Sequence, residues 1–335
     1  MGGAIYADSD LVILDNVHLR NNYADYGGGG IYQEFNPSSR EICLGRTDSC
    51  GLKVFNSLIE NNTVRADGGG INASNIYMEK STLRNNIANY GGAIYGDAVI
   101  HKSAFLSNTA HRLGGAIHTH GQNTLAVMSE FIDNNGTGSV CAGSINFDKC
   151  KVMENNGSAI GRDKHANRYV MTATNSVFYH NSSSPAAGDW LYLFNNTFIN
   201  NGSGVYAARF ATIINNVFES NTSDYDMNVD VSEKGYVFNN YIDYKKIIEN
   251  GNVIKKSNLQ PDYAGPINFR KGFIPTKDSP TADKGMIIDD EVLEKYTGYY
   301  IDITREHENL KFDFHNRERN NGIPDIGAIE LSRKL

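Results

Sequence analysis

The chain has 335 residues, a formal net charge of −7 and no cluster of Lys and Arg. Double-stranded nucleic acid is therefore an unfavourable partner, because phosphate neutralisation needs cations gathered on one face. No apolar run approaches the ~20 residues of a membrane-spanning helix, so the sequence predicts no transmembrane segment. The length suits one large domain or two ordinary ones.

A two-part phrase recurs from the first residues to about residue 221. One half, Gly-Gly-small-Ile-Tyr, occupies residues 2–6, 28–32, 68–72, 91–95 and 114–118, with looser copies at 142–146 and 202–206. The other half is an apolar residue followed three positions later by Asn. Its copies are Leu19/Asn22, Ile59/Asn62, Leu83/Asn86, Phe105/Asn108, Phe131/Asn134, Val152/Asn155, Phe178/Asn181, Phe198/Asn201 and Phe218/Asn221.

The spacing of the second half predicts a solenoid. Successive apolar members lie 40, 24, 22, 26, 21, 26, 20 and 20 residues apart, and an inserted loop at 33–53 explains the long first gap. Short alternating runs broken by Gly and Asn indicate strands and turns. The sequence thus predicts an all-β fold, a right-handed parallel β-helix of about ten coils over residues 1–245. The Asn residues should share one corner and the apolar residues one inward column.

The repeat fades near residue 246, where proline becomes frequent. Residues 246–335 are predicted to be an irregular C-terminal cap over the last coil, with a short helix at 289–296. At the other end, the chain begins within a repeat. An uncovered first coil is a sheet edge, which suggests end-to-end self-association through the N-terminal coil.

The four cysteines form two close pairs without the spacing of a zinc or redox site. Cys43 and Cys50 lie in the inserted loop, where a disulfide is predicted. For Cys141 and Cys150, a disulfide and two buried thiols remain as alternatives. A disulfide in either pair would fit an extracellular location.

The repeats resemble those of chlamydial polymorphic outer-membrane proteins and related adhesin-like proteins. In the tail, residues 278–285 (DSPTADKG) and 324–330 (PDIGAIE) resemble the closing signature of the choice-of-anchor Q group of β-helix proteins, although Thr281 and Ala282 depart from its usual pattern. The resemblance implies a pectate-lyase-like fold and a secreted or cell-surface location. It implies no single activity, because such folds include lyases, hydrolases and adhesins.

Alternation predicts which side chains face outward. If the Ile of each Gly-Gly phrase points inward, the next residue and the one two further on point outward. The first outward column then contains Tyr6, Tyr32, Asn72, Tyr95, His118, Asn146 and, later, Tyr206. The second contains Asp8, Glu34, Ser74, Asp97, His120, Asp148 and Asp163. The alternative is an ordinary solvated face on which Tyr serves β propensity.

These columns supply candidates for carbohydrate binding and for catalysis. Tyrosine rings stack on sugars, and amides and charged groups bind hydroxyls; the binding candidates are Tyr6, Tyr32, Tyr95, Asn146, Arg162 and Tyr206. Carboxylates one or two coils apart would lie ~5 or ~10 Å apart, which spans the geometries of glycosidases. A lyase needs a base and a cation. The catalytic candidates are Asp97, His118, His120, Asp148, Asp163 and Lys164.

Metal binding is a weaker expectation. Asp and Asn oxygens in the columns suit Ca²⁺, and His118 with His120 would suit a transition metal. No cofactor is certain. The functional hypotheses are a secreted or cell-surface β-helix that binds carbohydrate or serves in adhesion, or alternatively a polysaccharide lyase or glycoside hydrolase.

Overall fold

The computed structural model is an all-β, right-handed parallel β-solenoid of about nine turns, which confirms the predicted fold class. It describes residues 3–8, 11–34, 50–119, 124–161, 170–222, 224–256, 258, 269–270, 274–275, 278–297, 310–319 and 324–329. The chain divides into two compact units. The first is Met1–Asn146 with Lys151–Tyr169, and the second is Phe147–Cys150 with Val170–Leu335.

Short strands make up most of the described chain. In order they are β1 (Ile5–Ala7), β2 (Val12–Asp15), β3 (His18–Arg20), β4 (Tyr23–Ala24), β5 (Ile31–Gln33), β6 (Leu52–Phe55), β7 (Leu58–Glu60), β8 (Thr63–Val64), β9 (Ile71–Glu79), β10 (Thr82–Arg84), β11 (Ile87–Tyr90), β12 (Ile94–His101), β13 (Ala104–Leu106), β14 (Thr109–Leu113), β15 (Ile117–His118), β16 (Thr124–Val127), β17 (Glu130–Ile132), β18 (Asn135–Ala142), β19 (Ile145–Asp148), β20 (Lys151–Met153) and β21 (Asn156–Gly161).

The second unit continues the same pattern. It contains β22 (Val170–Thr174), β23 (Val177–Tyr179), β24 (Ala187–Phe194), β25 (Thr197–Ile199), β26 (Val205–Ile214), β27 (Val217–Glu219), β28 (Met227–Phe238), the 3₁₀ turn η1 (Tyr244–Lys246), β29 (Ile247–Lys256), β30 (Phe269–Arg270), β31 (Ile274–Pro275) and the helix α1 (Asp290–Tyr296). Strands of successive coils pair in parallel, whereas β30 and β31 form an antiparallel pair. Helix α1 confirms the predicted helix.

In each coil, a three-residue strand sends its middle side chain inward. In the first unit, Leu19, Ile59, Leu83, Phe105, Phe131 and Val152 stand in register on β3, β7, β10, β13, β17 and β20. In the second unit, Phe178, Phe198 and Phe218 do the same on β23, β25 and β27. The Phe105 and Phe131 rings stack with centroids 4.8 Å apart. The predicted inward column is therefore confirmed within each unit.

The repeated spacing of Asn after each apolar residue produces a buried ladder at one corner. Asn86 Oδ1 accepts from both the backbone N and Nδ2 of Asn62, and Asn86 Nδ2 donates to the Ile59 carbonyl of the preceding coil. The same pattern runs through Asn108, Asn134 and Asn155 in the first unit and through Asn181, Asn201 and Asn221 in the second. The prediction of one buried Asn corner is confirmed.

A second ladder, which the sequence reasoning missed, lies two residues before most of the inward apolar residues, from Ser57 onward. Ser81 Oγ accepts from the backbone N of Ser57 and donates to the Glu79 carbonyl. Ser103 and Ser129 extend this ladder in the first unit. In the second unit the position is held by Ser176, Asn196, Asn216, Asn240 and Asn258. Most described coils thus carry two corners at which polar side chains bond the neighbouring coil.

Both corners need a residue in the left-handed region immediately before the ladder residue. Asn fills many of these positions, but Lys80, Lys102, Met128 and His180 also adopt φ between 47° and 53°. A left-handed residue other than Gly costs roughly 1–2 kcal/mol. The ladder bonds and the buried inward column on either side hold these residues there.

The Gly-Gly phrase marks a corner where coils approach very closely. Gly68 has φ of +73°, and a Cβ on Gly69 would lie 2.2 Å from the Gly92 carbonyl oxygen of the next coil. Glycine adopts the positive φ at position 68 without strain, and at position 69 it leaves room for the backbone of the next coil.

The disulfide alternative for Cys141 and Cys150 is wrong, because both residues are buried thiols. Cys141 takes an inward position in register with Ile117. Cys150 takes the place of a corner Ser: its Sγ donates to the Asp148 carbonyl, and its backbone N donates to Ser176 Oγ. The predicted bridge from Cys50 stays a prediction, since Cys43 lies outside the described residues.

The strand pattern continues past the predicted boundary at residue 245. Strand β29 pairs with β28 in register, which places Glu249 beside inward Val229 and Lys255 beside inward Val237. Lys255 Nζ and Glu249 Oε1 form an ion pair of 3.0 Å. Among the described residues, no strand pairs with the other edge of β29. Inward charges on a terminal strand oppose further stacking.

Beyond β29, the described tail packs against the side of the second unit's coils. Ile288, Leu293 and Leu310 form a buried cluster with outward side chains of β24, β26 and β28. The backbone N of Gly327 donates to the Asn215 carbonyl, and the backbone N of Ala328 donates to Thr197 Oγ1. These parts of the tail therefore cover an apolar outer face of the second unit, and the cap over the last coil stays a prediction.

Truncation of Phe105 tests the inward column. Because Phe105 is fully buried against Phe131, we expect Phe105→Ala to lower the free energy of unfolding by about 3–5 kcal/mol. Ile13→Ala, at a side chain 58% exposed, is the control and should change it by less than about 0.5 kcal/mol. Denaturant melts measure both; equal small losses would contradict the assignment of Phe105 to the core.

The Asn ladder of the second unit ends on an acidic side chain. Asp226 Oδ1 accepts from Asn221 Nδ2 at 3.0 Å, in the place that the next ladder Asn would occupy. Asp226 is 3% exposed, and burial raises its pKa, although the hydrogen bond from Asn221 and the charge of Lys246 oppose the shift. Asp243 and Glu219 also face this carboxyl and raise its pKa further.

A neutral residue at position 226 should therefore stabilise the fold at neutral pH. A raised pKa means that the folded state disfavours the charged carboxylate, so stability falls as pH rises towards the folded pKa. We expect Asp226→Asn to raise Tm at pH 7–8, with the gain shrinking to nothing below about pH 4. Asp224→Asn, at an exposed position, should leave Tm unchanged at both pH values. A lower Tm for Asp226→Asn at pH 8 would contradict this account.

Candidate functional site

The first outward column lies on the large sheet of the first unit. Its register runs Tyr6, Tyr32, Asn72, Tyr95 and His118, one residue from each successive coil. We call these five residues the aromatic column. Parallel pairing spaces neighbouring members by ~4.8 Å along the sheet, which is close enough for the rings to touch.

The rings form two stacked pairs. The Tyr6 and Tyr32 centroids are 5.7 Å apart with ring planes 12° apart. The Tyr95 and His118 centroids are 5.2 Å apart with planes 23° apart. Asn72 stands between the pairs and donates from Nδ2 to the Asp67 carbonyl at 3.3 Å. The column is thus two stacked ring pairs separated by an amide.

Exposure decreases along the aromatic column. Tyr6 is 44% exposed, whereas His118 is 8% exposed, and the three members between them are half-buried. Tyr6 Oη donates to Glu34 Oε2 at 2.7 Å, and this bond is the main reason that the pKa of Tyr6 rises to about 12. Tyr6 therefore stays a neutral hydrogen-bonding phenol at physiological pH.

Three further residues that sequence reasoning missed border the aromatic column. The Tyr90 ring meets His118 edge-on, with centroids 5.3 Å apart. Arg112 Nη1 donates to Tyr90 Oη at 2.9 Å, and its guanidinium lies 5.5 Å from the Tyr90 centroid. Asp67 pairs by a backbone bridge with Tyr90, and burial raises its pKa while Arg112 lowers it. Asp67 and Tyr90 immediately precede Gly-Gly phrases, a position that could have been read as a third column.

Asp97 is set back from the surface by a bulge. Gly96 has φ of +146°, and the register shifts there so that Asp97 pairs with Asn75 rather than with the predicted Ser74. The Asp97 side chain is 6% exposed. The expectation of an open carboxylate beside Tyr95 is therefore wrong.

The aromatic column does not continue to Asn146 and Asp148. The residue in register with His118 on the next coil is Ala142, whereas Asn146 belongs to the following strand, β19. Asp148 belongs to the second unit. It is 4% exposed, and its Oδ1 accepts from Asn175 Nδ2 at 3.4 Å. The loose Gly-Gly copy at 142–146 led to a wrong assignment of outward residues, because the length of the coil changes there.

Tyr206 stands in the second unit without an aromatic partner in its column. It is in register with Ala187 on one side and Asn228 on the other. It is half-buried. The remaining predicted site residues, His120, Arg162, Asp163 and Lys164, lie outside the described residues.

The described residues provide no set of side chains for metal coordination. No three His, Cys, Asp or Glu side chains within the described ranges are grouped closely enough to hold a metal ion. The binding of Ca²⁺ stays a hypothesis.

No protein-family model matches the chain, and no curated protein matches it either. The resemblance to outer-membrane repeat proteins and to the choice-of-anchor Q group therefore depends on the short phrases alone. The fold defines the chain as a parallel β-solenoid protein. In the part of the chain that the structure describes, no helix has the length and apolarity to span a membrane.

Proposed function

We propose that the protein is an extracellular or cell-surface β-solenoid whose aromatic column binds a glycan without cleaving it. The supporting observation is the pair of ring stacks, Tyr6 with Tyr32 and Tyr95 with His118. Rings that already stack on one another lose little freedom when a ligand docks, so binding costs less conformational entropy.

The surroundings of the aromatic column provide the polar contacts that a sugar chain needs. Tyr6 and Glu34 lie at one end, Asn72 in the middle and Arg112 beside Tyr90 near the other end. Pyranose rings present apolar C–H faces and polar edges, and aromatic edges next to hydroxyls, amides and a guanidinium complement both. A chain lying along the solenoid would meet one of these groups at each coil.

The alternative, a lyase or a glycoside hydrolase, receives less support from the described residues. Asp97 is almost fully buried behind a bulge, and Asp148 is 4% exposed. A glycosidase needs two carboxyl groups that both reach the scissile bond. For this reason we favour binding over catalysis.

Binding by the aromatic column is tested with a double variant of its tyrosines. We expect Tyr32→Ala/Tyr95→Ala to weaken binding to the glycan ligands found on an array by roughly 5- to 100-fold, because two aromatic contacts of about 0.5–1.5 kcal/mol each are lost. The control Tyr23→Ala/Tyr26→Ala removes two more exposed tyrosines, 52% and 81% exposed, from outside the column and should bind normally.

Thermal melts must show that both double variants remain folded. Equal binding by the two variants, or no binding by the parent protein, would contradict the proposal. A lyase would release products that absorb in the ultraviolet, and a hydrolase would release reducing ends. Either product from the parent protein would favour the enzyme alternative.

A second proposed role is self-association through the N-terminal coil. The inward residues of this coil, Ile5, Val12, Leu14 and Leu19, remain partly exposed, whereas their partners on the next coil, Ile31, Leu52, Val54 and Ile59, are at most 1% exposed. Among the described strands, β1, β2, β3 and β4 each pair on one edge only.

A second copy of this coil would cover the inward apolar side chains that remain partly exposed. In an isologous contact, the apolar row of one copy would face the same row of the other across a two-fold axis. The other terminal strand, β29, is unsuitable because the Glu249–Lys255 ion pair occupies its inward positions. We therefore favour contact between two N-terminal coils.

Sedimentation velocity tests this contact. We expect the parent protein to form a dimer, and Leu14→Lys to be monomeric because a charge at an inward position prevents stacking. The control Ile254→Lys, at a 41% exposed site on β29, should remain dimeric. A monomeric parent protein would contradict the role.

A further inference from the structure

A shallow depression lies on the outer face of the small strands of the first unit, on a different sheet from the aromatic column. It spans β3, β7 and β10 on three successive coils, and its basic lining residues are His18, Lys80 and Arg84. Thr82 and Asn16 add a hydroxyl and an amide. Among the described residues, no carboxylate lines it. We call it the basic depression.

A carboxylate beneath the surface holds two of these basic side chains in place. Glu60 Oε1 bonds His18 Nε2 at 2.7 Å, and Glu60 Oε2 accepts from Arg84 Nε at 2.6 Å. The Glu60 side chain is 9% exposed, whereas those of His18 and Arg84 are 44% and 46% exposed. The bonds from Arg84 and His18 lower the pKa of Glu60, so it remains ionised and keeps both partners oriented.

Arg84 is held in a way that leaves its binding edge available. The bond to Glu60 engages Nε, and the two Nη nitrogens form no hydrogen bond with the described part of the chain. A guanidinium binds sulfate and carboxylate through two parallel N–H donors. The contact with Glu60 thus pre-orients Arg84 for an incoming oxyanion.

Neighbouring cations strengthen the attraction for an anion. Arg20 stands in register with Glu60 and Arg84 along one column. Lys80 is 59% exposed and lies 3.2 Å from Glu79 Oε1, an exposed contact that competes weakly. Arg20, Lys80 and Arg84 thus bring three positive charges close to the carboxylates of Glu60 and Glu79.

We infer that the basic depression binds an oxyanion, the sulfate or carboxylate group of an acidic polysaccharide. Arg84 provides the bidentate contact, Lys80 adds charge, and Thr82 donates a neutral hydrogen bond. Glu60 is a positioning residue. This inference does not depend on the aromatic column, because the two surfaces lie on different sheets and share no residue.

Titration calorimetry with dextran sulfate, polygalacturonate and neutral dextran tests the inference. We expect the parent protein to bind at least one of the two anionic polymers and not neutral dextran, with affinity that falls as salt rises. Dextran sulfate carries sulfate and polygalacturonate carries carboxylate, so the preferred polymer identifies the group.

Matched double variants distinguish the effect of losing the basic depression from the effect of losing positive charge in general. Arg84→Gln/Lys80→Gln should lose about tenfold or more in affinity, the equivalent of one charged hydrogen bond. Arg65→Gln/Lys53→Gln removes the same charge from the other sheet and should lose less than about twofold. Arg84→Lys keeps the positive charge but lacks the two parallel N–H donors of the guanidinium. Its loss of affinity should lie between those of the two double variants.

Three results would overturn the inference. They are no binding of either anionic polymer by the parent protein, equal loss in both double variants, and a duplex DNA oligonucleotide binding more tightly than both polymers. Thermal melts exclude unfolding, and Arg84→Lys provides a folded comparison if Arg84→Gln destabilises the protein. Tyr32→Ala/Tyr95→Ala should bind the anionic polymer normally, so failure here is distinguishable from failure of the proposed glycan site.

Discussion

The structure depends on hydrogen bonds between a corner side chain of one coil and the backbone of the next. At the Asn corner, each buried amide accepts from the coil on one side and donates to a carbonyl, as Asn86 does with Asn62 and Ile59. A buried amide left unsatisfied would cost about 1–3 kcal/mol. Coils that slip out of register would leave many such groups unpaired, so the ladders enforce one register within each unit.

With this register, single residues from successive coils form continuous surfaces. Because every coil repeats the same turns, residues at one offset line up along the sheet, which is how Tyr32 and Tyr95 come to flank Asn72. The same rule on the small strands brings Arg84 over Glu60. One fold therefore presents two different faces, an aromatic face on one sheet and a cationic face on the other.

Departures from the repeat limit these surfaces. The bulge at Gly96 withdraws Asp97, and a register shift between Asn135 and Ser139 precedes the point at which Ala142 replaces an aromatic residue in the column. Strand β29 shows a different departure, since Glu249 and Lys255 occupy inward positions and make that edge polar. The described inward residues of the N-terminal coil, by contrast, are apolar.

The sequence by itself determined the solenoid, the Asn corner, the inward column and the members of the aromatic column from Tyr6 to His118, because each follows a fixed offset from a repeated phrase. The Ser and Asn ladder was also present at a fixed offset, two residues before most of the inward residues, but Ser, Asn and Cys there resemble ordinary turn residues. Only tertiary structure decided the rest. A one-residue bulge moved Asp97, Cys150 replaced a corner Ser, and the cluster of Glu60 with His18 and Arg84 joins residues 42 and 24 positions apart. Because the coils differ in length, such residues come together only when the ladders set the register. The spacing of a single phrase does not reveal which residues become neighbours.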